Sequence, residues 1–587
     1  MNERQFGARL TSDGTTFRLW APAAKRVDLL LDQHRHALAS AANGWFEIVM
    51  PGAKAGACYK FRIDDEIDVP DPASAFQPED VFGPSEVIDH ASYEWRARDW
   101  RGRPWHETVL LEAHVGAFTN EGSYRAMIER LDHLVDTGVT ALELLPLADF
   151  AGRRNWGYDG VLWYAPDSAY GRPEDLKCLI DEAHLRGLMV FIDVVYNHFG
   201  PEGNYLGRYA PAFFTDAQTP WGSAIDYRLP QVRAFAIENA LYWLSEYRFD
   251  GLRLDAVHAI EEQGEIPMLH DLSRAVGALA AETGRHIHLV LENDDNCAGL
   301  LDPAPSAPHG KFHAQWNDDY HHAWHVWLTG EKQGYYRDYQ RSPLGDIARC
   351  LGSGFAYQGE ASEHRGGKPR GEDSRALAPT AFVNFLQNHD QIGNRPFGDR
   401  LESLANREAL EAALAITLLA PSIPMLFMGE EWGSKTPFPF FCDFTGGLAD
   451  AVRKGRRDEY AWAYERFGSE VPDPLSEATF RAAVLDWDNV DGGGRERLAL
   501  VRELLSIRRR HVTPRLPGAR FGQARAADNG LLTASWQLGD ESRLSLAANL
   551  SGRAIIAQSA EMPGTLIWGE DGGALKSWSV LWRLEAR

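Results

Sequence analysis

Along the first hundred residues, apolar and polar positions alternate with a period of two in short runs. Residues 16–20, 27–31, 45–49 and 59–63 are rich in β-branched and aromatic side chains and are separated by turn residues, a pattern that predicts a β-sandwich module. A Pro- and Asp-rich stretch, residues 69–73 and 82–85, then leads over Trp95 to Trp105 into text of a different rhythm. There Met127, Ile128, Leu131, Leu134 and Val135 follow helical spacing, and Gly138 ends the helix before an apolar strand at 141–145. Pro173 opens a second helix carrying Leu176, Leu179, Ile180 and Ala183; Gly187 closes it, and residues 188–195 run on as a buried strand. A third unit places Val232, Phe235, Ala236, Ala240, Trp243, Leu244 and Tyr247 on one helix before a strand at 251–255.

A helix followed by a continuously apolar strand, repeated, means a parallel sheet with right-handed crossovers. Further strands are predicted at 109–113, 286–292, 311–316, 381–386 and 423–428, which brings the number to eight. Eight such strands spread over about 400 residues fit a (β/α)8 barrel with long βα loops better than a doubly wound sheet. The last barrel helix is expected at 495–510, and β-rich text returns after Pro514, for example at 532–536 and 544–548. The expected division is therefore an immunoglobulin-like sandwich at 1–100, a (β/α)8 barrel with long βα loops at 101–512 and a small β-domain at 513–587.

Composition narrows the function. The 587 residues hold 60 Lys+Arg against 83 Asp+Glu, a net charge of −23, without the basic stripe that a nucleic-acid partner requires. No window of 18 apolar residues occurs and the N-terminus lacks an apolar signal core, so a cytoplasmic protein is expected. Five scattered cysteines, Cys58, Cys178, Cys297, Cys350 and Cys442, imply neither a disulfide framework nor a zinc site. The 19 tryptophans exceed what packing alone needs, and flat indole faces suit sugar rings as well as cores.

In a parallel barrel the informative position is an acid at the carboxyl end of an apolar strand. Four acids stand there: Asp193 after 190–192, Asp255 after 252–254, Glu292 after 289–291, and Asp390 after 385–389. Their spacing is compatible with one or more βα units each, so all four are expected on the active face of one barrel. Converging carboxylates repel, so at least one should remain protonated near neutral pH. A protonated acid beside an ionised one is what glycoside hydrolysis requires. Two other readings stay open on the residues alone. The acids can cap helices or pair with arginines, or, with Asn197 and His198, hold a hard cation, although no His-x-His or His-Glu-x-x-His spacing accompanies them.

Asp193-Val194-Val195-Tyr196-Asn197-His198, Gly251-Leu252-Arg253-Leu254-Asp255-Ala256-Val257-His258, the strand-end Glu292 and Phe385-Leu386-Gln387-Asn388-His389-Asp390 together resemble the four short motifs of the α-amylase superfamily, glycoside hydrolase family 13. The resemblance runs from about residue 105 to 587, and the module before it is similar to the sandwich that precedes the barrel in branching, debranching and trehalose-forming members. It implies Asp255 as nucleophile, Glu292 as general acid/base, Asp390 as stabiliser of the distorted sugar, and retention of configuration with the reacting pair roughly 5–5.5 Å apart. Arg253 would keep Asp255 ionised. His198 and His389 would donate to hydroxyls of the attacked glucose, and Tyr158, with Asp159 beside it, would lie under that ring. His258 corresponds to a position facing the leaving side, and Asp193 to a buttress of its strand end. No cofactor and no required metal are implied.

Residues 70–78, 82–85, 196–205, 219–222 and 388–394 are similar to members that release trehalose. That implies maltooligosyltrehalose as substrate, cut at the α-1,4 bond next to its terminal trehalose, and a synthase making that α,α-1,1 end as functional partner. Trp221, on a Pro/Gly-flanked loop, is the candidate wall of the pocket for the bent glucose pair, with a buried loop anchor as the alternative. A glycogen branching enzyme, in which a sugar hydroxyl captures the glycosyl-enzyme, and a non-catalytic glucan-binding protein are the competing functions.

Overall fold

The computed structural model describes residues 4–219, 222–260, 267–302, 311–488, 490, 492–556 and 562–586. Eight strands close into a barrel in chain order: β1 (Leu110–Ala113), β2 (Ala141–Leu144), β3 (Met189–Val194), β4 (Gly251–Leu254), β5 (His288–Leu291), β6 (Ala314–Trp316), β7 (Phe382–Asn384) and β8 (Ile423–Phe427). Every pair is parallel, and β8 returns to pair with β1. All eight lie where the apolar runs place them. Each is shorter than or equal to its run, because pairing stops where the chain begins to turn over the barrel rim.

Alternation along these strands decides what enters the barrel. Leu110, Ala141, Phe191, Val290, Val383 and Met425 belong to one fully buried cluster. Two residues further along their own strands, Leu110, Ala141 and Phe191 are followed on the same face by Glu112, Glu143 and Asp193. An apolar layer thus underlies a layer of acids at the carboxyl-terminal mouth. At the opposite end Trp105 Nε1 donates to Thr380 O at 2.8 Å, and the buried Arg508 donates to the carbonyls of Leu418, Ala420 and Ser422.

The crossover helices include α1 (Pro173–Leu185), α2 (Pro230–Glu246), α3 (Met268–Thr283), α4 (Asp318–Thr329), α5 (Pro343–Ser353), α6 (Arg407–Leu419) and α7 (Gly492–Ile507). Proline occupies the first position of α1, α2 and α5, where its missing N–H costs nothing. Two predicted helices differ in detail. The stretch from Met127 to Val135 is two short helices, Tyr124–Ile128 and Leu131–Thr137. Glu129 N and Arg130 N bond back three residues rather than four, tightening the chain into a turn, and Val135 is left 38% exposed while Leu131 and Leu134 are buried. The final helix begins three residues earlier than predicted and ends at Ile507, followed by a wider π turn at Arg508–Val512.

Before the barrel, a four-stranded and a five-stranded antiparallel sheet are built from strands at Gly14–Trp20, Val27–Leu31, Trp45–Met50, Cys58–Ile63 and shorter neighbours. Phe17 and Tyr59, one from each sheet, meet with ring centroids 4.7 Å apart. The module is fixed to the barrel side by Phe6 edge-on to Phe235 of α2 at 5.0 Å, by Trp20 against Phe213, and by Ala23 N donating to Tyr209 O. After the barrel, five antiparallel strands from Arg520–Ala526 to Ser579–Glu585 form one sheet that packs on α5, with Trp536 Nε1 donating to Leu351 O at 2.8 Å. Among the described residues no helix is long and apolar enough to cross a membrane.

Candidate active site

Arg253 enters the barrel mouth from β4 and is 2% exposed. One of its terminal nitrogens lies 2.6 Å from Asp193 Oδ2 and 2.8 Å from Asp255 Oδ1; the other lies 2.9 Å from Glu292 Oε2. Its planar face rests 4.2 Å above the ring centroid of Trp316, at the end of β6. Three strand-end acids are therefore gathered by one cation. A single guanidinium thus contacts both Asp255 and Glu292.

The two acids are held in different protonation states. Burial alone would raise the pKa of Asp255, but the Arg253 charge, the Asn197 amide and the His198 ring outweigh it and hold the carboxyl below its usual range. Asn197 Nδ2 donates to Asp255 Oδ2 at 2.8 Å. For Glu292, burial dominates over the pull of Arg253, and the charges of Asp255, Asp318 and Asp390 add to it, so its pKa stands well above the ordinary value. Glu292 Oε2 also accepts from Ala256 N at 2.7 Å, an amide aimed at it by a left-handed φ of 40° at a non-glycine residue. Such a conformation costs of order 1–3 kcal/mol and is typical of functional sites.

Tyr158 OH donates to Asp193 Oδ2 at 2.6 Å, and the Tyr158 ring stacks on His389 at 5.1 Å and 20°. Asp193 thus braces both Arg253 and Tyr158; burial first, against the Arg253 charge, raises its pKa to about 6. His198 Nε2 lies 2.8 Å from Tyr158 O and its Nδ1 lies against Asn197 Oδ1. With Nε2 at the Tyr158 carbonyl and Nδ1 at the Asn197 amide, the ring braces the loop that carries Tyr158. Asp159 accepts from Asn155 Nδ2 at 2.7 Å within that loop. Asn197 spends its amide on Asp255 and its oxygen on His198, and among the described residues no three His, Cys, Asp or Glu side chains are arranged to hold a metal ion.

Asp390 sits in the first turn of a short helix, His389–Gly393, capped by Asn388, and its Oδ1 accepts from Asn394 Nδ2 at 2.5 Å. His258 is exposed at the rim, and its Nδ1 accepts from Asp294 N at 3.3 Å. Trp221 lies outside the described residues.

Four further residues belong to the site. Glu112, at the end of β1, accepts from His389 N at 3.1 Å through one oxygen and holds His389 Nδ1 with the other. Burial would lower the pKa of His389, but the Glu112 charge raises it above the usual histidine value. Glu143 is Glu112's partner in register on β2 and has no hydrogen-bond partner on either oxygen among the described residues. Burial, reinforced by Glu112, pushes its pKa well up, so it stays neutral. Trp316 and Asp318 complete the β6 wall. A signal for the first two was present, since each is the lone acid of an otherwise apolar strand, Leu110–Ala113 and Ala141–Leu144.

Comparison with known proteins agrees with this geometry. Residues 114–213 match the family model for the alpha amylase catalytic domain, residues 5–75 that for carbohydrate-binding module 48 (isoamylase N-terminal domain), and residues 519–582 a domain of unknown function (DUF3459). A malto-oligosyltrehalose trehalohydrolase of Deinococcus radiodurans is 43% identical over 499 residues, 84% of this chain and 81% of its own length. One of Saccharolobus solfataricus is 39% identical over 86% of this chain and 87% of its own. A crystal structure from Salmonella typhimurium, described as of alpha amylase type, superposes with a TM-score of 0.94 at 44% identity, over 99% of this chain and all of that one. A 1,4-alpha-glucan branching enzyme of Leifsonia xyli is more distant, 29% identical over 73% of this chain and 61% of its own. With a closed eight-stranded barrel, flanking β modules and relatives of this identity over most of its length, the chain belongs to the malto-oligosyltrehalose trehalohydrolases of the alpha-amylase family.

Proposed function

We propose that the protein hydrolyses the α-1,4 bond next to the terminal trehalose of maltooligosyltrehalose, releasing trehalose and a maltooligosaccharide, with retention at the anomeric carbon. The observation that carries this reading is the unlike pair bridged by Arg253, Asp255 held ionised and Glu292 held protonated, in a chain whose relatives bear that name. Asp255 Oδ attacks the anomeric carbon while Glu292 gives its proton to the leaving trehalose oxygen, and the glycosidic C–O bond breaks. The Glu292 carboxylate then takes a proton from water, which displaces Asp255 and restores both acids. Asp390 stabilises the distorted ring, and Tyr158, with His389 stacked against it, shapes the floor beneath that ring. Arg253 keeps Asp255 ionised; His198 and Asp159 hold the Tyr158 loop, and His258 faces the leaving sugars.

A synthase that builds the α,α-1,1 end is the partner this reaction needs upstream, and a cytoplasmic location is the reading of the chain's composition. The division at about residues 100 and 512 is supported by the change from antiparallel sheets to barrel and back. Incubation with maltotriosyltrehalose and, separately, with maltopentaose tests the function. Rapid release of trehalose from the first, with the second barely cut, is expected. Equal cleavage of both, or transfer of chains without a rise in reducing ends, would overturn the reading.

A further inference from the structure

Between the general acid and the stabiliser stands a fourth carboxyl. Asp318 is the first residue of α4, two residues beyond the Trp316 that underlies Arg253. Its strand, β6, lies between β5, which leads to Glu292, and β7, whose loop carries Asp390. The adjacent Asp319 is fully buried and saturated, accepting from Asn296, the amides of Ala356 and Tyr357, the Tyr339 hydroxyl and Arg370. Asp318 is placed quite differently. It is partly exposed, and among the described residues its carboxyl accepts one hydrogen bond, from Gln391 Nε2 at a long 3.3 Å. A carboxyl so loosely held in a cleft is available to a ligand, whereas Asp319 has no acceptor capacity to spare.

The side of the cleft follows from the barrel order. The floor for the attacked ring, Tyr158 with Asp193 and Arg253, is supplied from β2 to β4. Asp318 lies across from it, on the wall beside Glu292, where the leaving oxygen takes its proton. Burial, reinforced by the neighbouring Asp294, raises its pKa to about 7, so near neutrality a carboxylate fraction is there to accept from a sugar hydroxyl.

We infer that Asp318 hydrogen-bonds a hydroxyl of the leaving sugar pair and contributes to the choice of a trehalose end over a maltose end. The inference rests on the trehalose-releasing reading above. A site built around a polar contact rejects a ligand that leaves it unmade, and a charge-assisted bond of this kind supports discrimination of about 10- to 100-fold.

The test compares wild type, Asp318→Asn and Asp318→Ala on maltotriosyltrehalose and on maltopentaose, with trehalose added as product inhibitor. In the variants the ratio of kcat/KM for the two substrates is expected to fall about 10- to 100-fold, mainly through KM, and the inhibition constant of trehalose to rise by a similar factor. The isosteric Asn variant keeps the result independent of any packing loss in the Ala variant. An equal loss on both substrates would overturn the inference. So would a shift of the alkaline limb of kcat/KM with ratio and inhibition unchanged, because Asp318 would then act only as a charge beside Glu292. A wild type that cuts both substrates alike overturns the reading of the reaction, and the inference with it.

Discussion

Arg253, sandwiched between Trp316 and the acids, reaches Asp193 and Asp255 through one nitrogen and Glu292 through the other. Two like charges on one cation in a buried site are unstable; the Arg253 charge, the Asn197 amide and His198 hold the negative charge on Asp255, while burial and the surrounding carboxylates keep the proton on Glu292. The pH profile of kcat/KM should therefore be bell-shaped. Activity is lost on acidification only below the usual carboxylate range, as Asp255 is protonated, and lost on the alkaline side above it, as Glu292 ionises. Glu112 adds a second lever. Because its anion raises the pKa of His389, the imidazolium is present below that raised value and disappears as pH rises through it. In Glu112→Gln the histidine should lose its charge at lower pH, drawing the alkaline limb down and reducing kcat about tenfold at neutral pH. A pH–rate series on the two proteins decides this; an unmoved alkaline limb would make Glu112 merely structural.

At the scale of elements, the short helix His389–Gly393 presents both His389 and Asp390, and its position depends on one missing side chain. A Cβ on Gly393 would stand 1.9 Å from Cζ2 of Trp156, a buried ring stacked on Phe438 at 5.5 Å. Neither aromatic ring has room to yield. Gly393→Ala should cost about 1–3 kcal/mol by overpacking and also lower kcat, because the helix moves Asp390 as it shifts. Urea unfolding together with single-turnover kinetics separates the two effects; stability lost with kcat intact would show that the ring, not the helix, gives way. The strand elements were legible from the sequence because each is a continuous apolar run. The helix at residues 389–393 was not, since a five-residue segment with one large apolar side chain, Ile392, carries no helical period and its conformation comes from the Asn388 cap.

On the scale of the whole molecule, flanking modules are welded to the barrel rather than tethered. The C-terminal sheet presses Trp536, 1% exposed and stacked on Trp582 at 5.6 Å, onto α5, where its indole N–H reaches Leu351 O. Trp536→Ala should destabilise by about 3–5 kcal/mol and leave kcat/KM near wild type at low temperature, since the sheet lies behind β6 and β7 and not at the mouth. Thermal inactivation and initial rates on the same preparation check this; a matching fall in kcat/KM in the cold would mean that the sheet shapes the cleft.

The amino-acid sequence by itself determined the eight strands, their parallel order, the flanking β modules and the acids Asp193, Asp255, Glu292 and Asp390, because those depend on local apolar period and on which strand end carries a charge. Tertiary structure alone decided how those acids differ. Which of Asp255 and Glu292 keeps the proton depends on Arg253, Asn197 and burial, groups from β3, β4 and β5 that meet only when the barrel closes. The same closure made Glu112 and Glu143 into a layer beneath the site: pairing of β1 with β2 sets them side by side, and His389 from the loop after β7 neutralises one of them. Charges interact through space with a strength set by distance and dielectric, and neither quantity is written in the order of residues along a chain.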